Sequence, residues 1–161
     1  MAGQGDGLLQ PTKLLQTDDM MPSIALPGYQ TYTFDLAGAW ADQILYVVPD
    51  GIKAEIMDIG ITVSKASTSA NITDIVFSKV VAGTATALNS ALAWNTADTA
   101  GTTKSALRGS VTYTSDADTA AERQLDAGSH VKVALTKGSA AAGILSLFVR
   151  LKFLSKDNDA I

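Results

Sequence analysis

The chain has 161 residues, of which 47% are hydrophobic and 17% charged, with a net charge of −4 and no cysteine. This length predicts one domain that can bury a core without disulfides or metal ions. The acidic balance argues against nucleic-acid and anionic-membrane partners, and the lack of cysteine excludes thiolate metal sites and cysteine nucleophiles. The sequence has no signal-peptide pattern and no apolar run that could span a bilayer, so we expect synthesis in a cytosol.

Residues 1–28 differ from the rest of the chain, because three of the four prolines (Pro11, Pro22 and Pro27) lie there. Proline disfavours a helix and removes a backbone donor, which predicts an extended course of up to ~90 Å. Apolar residues occur between the prolines in adjacent pairs: Leu8, Leu9, Leu14, Leu15, Met20 and Met21. We expect an N-terminal arm whose apolar pairs bind another subunit, and an unstructured tail is the alternative.

Residues 29–154 have the alternation of apolar and polar residues that predicts strands. In the segment 52–65 the apolar residues occupy one alternating phase up to Ile56 and change to the other phase at Met57. A one-residue shift of this kind predicts a β-bulge. Further strands are predicted in the runs 29–36, 43–51, 72–83 and 105–116.

The most regular stretch, residues 128–153, predicts two long strands around a turn at 137–139. The inward phase consists of Val131, Val133, Leu135, Leu145, Leu147, Val149, Leu151 and Phe153. His130 and Lys132 occupy the outward phase, and Phe148 also falls there, which suggests that the outer surface of this strand is partly covered. Altogether about eight strands predict an all-β antiparallel sandwich, and the long connections favour a jelly roll, with a C-terminal tail at 155–161.

Two segments allow a helical alternative. Residues 84–94 fit either a strand phase or one helical turn. Thr119 and Glu122 have the spacing of a capping box, which would begin a short helix before Gly128.

For each residue that could act in catalysis or metal binding, a purely structural role explains the sequence pattern better. His130 is the only histidine, and its outward phase favours a solvated or interface-lining residue over a catalytic base. The carboxylate pairs (Asp18 with Asp19, Glu55 with Asp58, Asp116 with Asp118) lack the pattern of a glycosidase or calcium loop. We therefore expect no enzyme activity, no catalytic or metal site and no cofactor.

The segment "LDAGSHVKVALTKGSAAAGILSLFVRLKF", residues 125–153, resembles the closing strands of β-sandwich virion proteins from tailed bacteriophages. These include capsid decoration (cement) proteins and head-fibre modules. The resemblance implies a sandwich that is often trimeric and bound between capsid subunits, with N-terminal segments that join neighbours. No functional residue can be carried over from it.

From these observations we expect a structural virion protein on the capsid exterior. Its expected partners are the major capsid protein and copies of itself in a homotrimer, without nucleic acid or membrane. The alternative is a fibre-type or carbohydrate-binding sandwich that recognises a surface glycan through Trp40 or Trp94 and loop acids. An enzyme built around His130 is the third possibility.

Overall fold

The computed structural model describes residues 28–35, 42–67, 72–137 and 143–155. Within these ranges the protein is all-β, with ten strands, one single-turn 3-10 helix at Ser115–Ala117 and no α-helix. The strands are β1 Gly28–Asp35, β2 Gln43–Val47, β3 Ile52–Lys65, β4 Ile72–Val81, β5 Thr84–Ala87, β6 Leu92–Trp94, β7 Thr103–Ser105, β8 Gln124–Leu125, β9 His130–Lys137 and β10 Ile144–Ser155. None of these described elements is a helix that could cross a membrane.

The strands form two antiparallel sheets. The first sheet has the order β1-β10-β3-β7, with β8 paired to β3. The second sheet has the order β2-β9-β4-β5, with β6 paired to β4. Chain neighbours such as β1 and β2, or β9 and β10, therefore lie in different sheets, whereas β4 and β5 form a hairpin within one sheet.

Both sheets contribute to one buried core, as the alternation of apolar residues predicts. The first sheet supplies side chains that alternate along β3 and β10, such as Ile59 and Leu147, and the second supplies others such as Phe77 and Val133. All four are fully buried. Because every second residue of these strands faces inward, the intervening residues form two outer faces, one on each sheet.

The predicted β-bulge in β3 is confirmed. Arg150 of β10 lies opposite Asp58, but the next residue, Leu151, lies opposite Ile56, so Met57 is the inserted residue. The insertion lets the apolar residues on both sides of Met57 face the core although they occupy different alternating phases.

The strand predicted at 105–116 is wrong beyond Ser105, where the chain turns instead. The hydroxyl of Ser110 accepts a hydrogen bond from the Ser105 amide (2.9 Å), and Asp58 accepts one from the Leu107 amide (3.0 Å). Side chains thus take the place of a strand partner for this backbone, and Gly109 has the positive φ (70°) that the turn requires.

The capping box forms, but no helix follows it. Glu122 accepts hydrogen bonds from the amide (2.8 Å) and hydroxyl (2.9 Å) of Thr119, and these bonds lower the pKa of Glu122. The next residues, Gln124 and Leu125, pair with β3, so sheet pairing ends the helical turn. Residues 84–94 follow the strand alternative, in β5 and β6.

Several predictions lie outside the described residues. They include the arm (residues 1–27, with all six paired apolar residues), Trp40, the Asp18-Asp19 pair and the tip of the β9–β10 turn. The first described strand begins at Gly28 and the last ends at Ser155, each one residue beyond the predicted sandwich limits of 29 and 154.

Candidate functional site

The outer face of the second sheet is apolar, and we call it the aliphatic face. Its members alternate with core residues along four hydrogen-bonded strands and so share one side of the sheet. They are Ile44 and Val47 of β2, Val76, Ser78 and Val80 of β4, Ala85 and Ala87 of β5, and His130, Lys132 and Ala134 of β9. Ile44 is 53% exposed and Val47 51% exposed, and both are among the large apolar side chains that the described chain leaves open to solvent.

His130 lies within this face, between two valines. It stands opposite Val47 on one side and Val80 on the other. Val80 is only 7% exposed although it is not part of the core cluster, so its neighbours on the outer face cover it. His130 is half-buried and lies on the outer face of the sheet, as the alternation predicted.

The aliphatic face carries little net charge. Lys132 forms an ion pair with Asp42 at 3.2 Å, so its charge is compensated at the rim beside β2. Asp74, at the opposite end of β4, is exposed. Between these positions the described face has only small, aliphatic and hydroxyl side chains besides His130, and such a surface loses little hydration when another protein covers it.

The first described residue, Gly28, lies at one end of the first sheet. It lies opposite Leu151, which lies opposite Ile56 near the start of β3. Since β3 follows β2 after a short turn, Gly28 lies towards the end of the body where β2 ends, and β1 contacts β2.

The outer face of the first sheet differs, because it contains a polar pocket of about 490 Å³. Strand β3, its neighbours β7 and β10, and the turn after β7 form the pocket. The pocket is lined by four hydroxyl side chains, one carboxylate, one guanidinium and one phenyl ring: Thr62, Thr103, Ser105, Ser146, Asp58, Arg108 and Phe148.

A close contact between two strands fixes the phenyl ring at the floor of this pocket. Phe148 lies opposite Gly60, and a Cβ at position 60 would come within 2.7 Å of Phe148 Cζ and 2.8 Å of Ser105 Cβ. The same Cβ would overlap the carbonyl oxygen of Lys104. Glycine is therefore required at position 60 by space, and it lets the Phe148 ring lie directly on the backbone of β3.

The charged groups of the pocket are held by the turn after β7. Asp58 is 6% exposed, and its Oδ1 accepts a hydrogen bond from the Leu107 amide at 3.0 Å. The Arg108 amide donates to the Ser105 hydroxyl at 3.3 Å, and the exposed side chain of Arg108 lines the pocket. Burial raises the pKa of Tyr113 to about 12, and the charge of Asp58 acts in the same direction. The charge of Arg123, whose guanidinium lies 4.8 Å from the ring centre, lowers this pKa.

The other predicted site residues lie apart from both faces. Trp94 is fully buried in the core and cannot offer its ring to a ligand. Asp116 and Asp118 are exposed in and after the single 3-10 turn, and no group of three or more acidic or histidine side chains among the described residues could hold a metal ion.

The pocket was not predicted from the sequence, because its carboxylate and its phenyl ring lie 90 positions apart. Two sequence signals could have indicated it. Gly60 interrupts an otherwise β-branched strand, and Phe148 is an aromatic residue on a polar phase. Both are signs of a close approach on the outer surface of the sheet.

Comparison with known proteins gives no relative from which a function could be transferred. The chain matches no protein-family model, no curated protein and no solved structure.

Proposed function

We propose that this is a structural virion protein that binds the outer surface of a tailed-phage capsid and stabilises it by bridging neighbouring capsid subunits. The observation that carries the proposal is the aliphatic face, where Ile44 and Val47 are half exposed on the outer side of the second sheet. The major capsid protein is the proposed occupant of this face, and the chain is proposed to act as a homotrimer.

The strand order supports a jelly roll as the finer description of the fold. Leaving out the two short strands β6 and β8, the remaining eight pair first with last, second with seventh, third with sixth and fourth with fifth. This is the pairing of a long antiparallel hairpin rolled into two sheets. Jelly rolls are common among viral capsid proteins and lectins, so the fold raises the prior for a virion protein by analogy.

The size of the aliphatic face supports a role within a lattice. Four strands ~4.8 Å apart and about five residues long cover roughly 300 Å², whereas a stable independent interface buries about 800 Å² per partner. The face alone would bind weakly, and we propose that the arm supplies the remaining contact through its paired leucines and methionines. A small gain for each copy is multiplied over a closed shell.

The charge of the chain also fits the outside of a capsid. Its net charge of −4 would be repelled by packaged DNA but is compatible with a solvent-facing position. The glycan-binding alternative does not have Trp94 available, since that ring is fully buried.

The test uses the full chain and capsid shells assembled from the capsid protein encoded in the same phage genome. Occupancy is measured by co-sedimentation and quantitative gel analysis. We expect the double variant I44S/V47S and a variant without residues 1–27 to remain folded and to lose most of their occupancy. Leu107→Ser is the matched control, because Leu107 is 62% exposed but belongs to the turn after β7, away from the aliphatic face.

Two results would contradict the proposal. The first is an unmodified chain that does not bind the shells. The second is full occupancy of both altered variants, which would show that neither the face nor the arm makes the contact.

A further inference from the structure

The pocket on the first sheet has no role in the proposed assembly, because it opens on the face opposite to the aliphatic face. We propose that this pocket is a saccharide-binding site, with Asp58, Arg108 and the pocket hydroxyls as the polar groups and Phe148 as the apolar contact. The inference does not rest on the proposed function, since it uses different residues on the other sheet.

The volume of the pocket fits a small ligand. At about 490 Å³ it lies within the range of roughly 300–1,000 Å³ that is common for small-molecule sites. Most such sites are lined by apolar groups, whereas here six of the seven lining side chains are polar. A lining of this kind favours a ligand that is itself polar over most of its surface.

The hydroxyl groups select a ligand with both donors and acceptors. The Thr62 and Thr103 hydroxyls lie 3.2 Å apart, and the Ser146 hydroxyl lies 3.2 Å from that of Ser64. Each hydroxyl can donate one hydrogen bond and accept two, so the Thr62–Thr103 pair retains capacity after its mutual bond. A sugar ring presents hydroxyls of the same dual character at similar short spacings.

The two charged groups complete the polar set. The carboxylate of Asp58 is oriented by the Leu107 amide, and no other described residue donates to it through a hydrogen bond, so its second oxygen can accept from ligand hydroxyls. The Arg108 guanidinium can donate to a ring oxygen or to a hydroxyl. Charged groups form stronger hydrogen bonds than neutral ones, so Asp58 and Arg108 are expected to make the strongest polar contacts with ligand hydroxyls.

The phenyl ring supplies the contact for the apolar part of a sugar. Phe148 is half-buried, and its ring packs closely against the backbone at Gly60, so it loses little freedom when a ligand binds. The C–H groups of a sugar ring pack on such an aromatic surface. The buried carboxylate of Asp58 disfavours a simple inorganic anion, and the hydroxyl lining disfavours an apolar ligand.

The experiment is an NMR titration of the full ¹⁵N-labelled chain, whose 16.7 kDa mass suits backbone amide spectra. The probes are glucose, galactose, N-acetylglucosamine and glucuronic acid, added separately. We expect at least one sugar to cause saturable shifts confined to β3, β7, β10 and the turn around Arg108, with a millimolar dissociation constant.

Two variants test the assignment. Thr62→Val removes one hydroxyl without changing the side-chain shape, and Arg108→Gln removes the guanidinium from an exposed position. Each should weaken binding about 3- to 10-fold, the effect of one lost hydrogen bond. Thr112→Val and Lys132→Gln are the matched controls, since both residues lie outside the pocket, and they should bind as the unmodified chain does.

The proposal is overturned if no sugar in the panel gives saturable shifts. It is also overturned if the shifts fall on the aliphatic face, or if Thr62→Val and Arg108→Gln bind as tightly as their controls. Loss of capsid binding would leave this result unaffected, so the two proposals fail separately.

Discussion

The side chain of Asn89 satisfies backbone hydrogen bonds of β4 where no neighbouring strand does, and its replacement tests this role. Strands β5 and β6 pair with different parts of β4 and leave a gap between them. Asn89 fills this gap with its side chain: Oδ1 accepts from the Phe77 amide (2.8 Å), and Nδ2 donates to the carbonyl of Ile75 (3.0 Å). Its carboxamide therefore replaces the donor and acceptor that a neighbouring strand would supply.

Asn89→Ala removes this substitute, and the magnitude follows from the groups left behind. Asn89 is 2% exposed, so water has little access to the amide of Phe77 and the carbonyl of Ile75. A buried polar group without a partner costs about 1–3 kcal/mol, and two such groups give an expected loss of about 3 kcal/mol. This is a large share of a typical stability of about 5–15 kcal/mol, but the variant should still fold.

The assay is equilibrium unfolding in urea, and Asn95→Ala is the matched control. The Asn95 side chain accepts from the exposed amide of Ala97 (2.9 Å), which water can bond after the change. We expect the control to lose less than about 1 kcal/mol. If Asn89→Ala costs no more than Asn95→Ala, the carboxamide does not complete the sheet and the reasoning is refuted.

Three further predictions concern a buried hydroxyl, the pH dependence of stability and a hairpin turn. Tyr113→Phe should raise the free energy of unfolding by about 1 kcal/mol, because the Tyr113 hydroxyl is buried without a partner among the described residues; a loss would contradict this. Burial raises the Tyr113 pKa from 10.0 to about 12, so the folded state opposes ionisation of this side chain. Ionisation of Tyr113 should therefore leave the free energy of unfolding unchanged below about pH 10 and lower it as the pH rises towards 12, and Tyr113→Phe should remove that part of the alkaline loss in unfolding measured across this range. Ala82→Asn should raise the free energy of unfolding by about 0.5–1 kcal/mol. Ala82 (φ 48°) and Gly83 (φ 82°) form a two-residue hairpin turn, and asparagine adopts positive φ more readily than alanine. An unchanged urea midpoint would refute this prediction.

Sequence analysis predicted well those strands in which apolar residues alternate with polar ones, because this alternation depends directly on which side chains are buried. The change of phase at Met57 indicated a bulge because both halves of β3 must face the same core. The alternation in β9 and β10 likewise placed His130 and Phe148 on outer faces before any partner strand was known. In each case the prediction concerns only whether a side chain faces the core, and the alternation of apolar and polar residues along one strand is enough to indicate that.

The features that sequence analysis missed depend on contacts between distant segments. Residues 106–116 have β-branched residues, but the side chain of Asp58 holds the backbone of Leu107 in a turn. Asn89 resembles any turn asparagine until the gap beside β4 is known. The polar pocket combines β3, β7 and β10, so no spacing along the chain identifies it.

The contrast between the two outer faces suggests how the molecule would be oriented on a capsid shell. In a free monomer both outer faces contact water, and both would be expected to carry charged residues. On the aliphatic face, however, the charge of Lys132 is compensated by Asp42, and Asp74 lies at the end of the face. Placing that face against a shell would turn the polar pocket outward, where a saccharide on a cell surface could reach it. If Arg108→Gln and Thr62→Val instead lose shell occupancy in the co-sedimentation assay, the orientation is reversed, and the pocket would be part of the capsid contact.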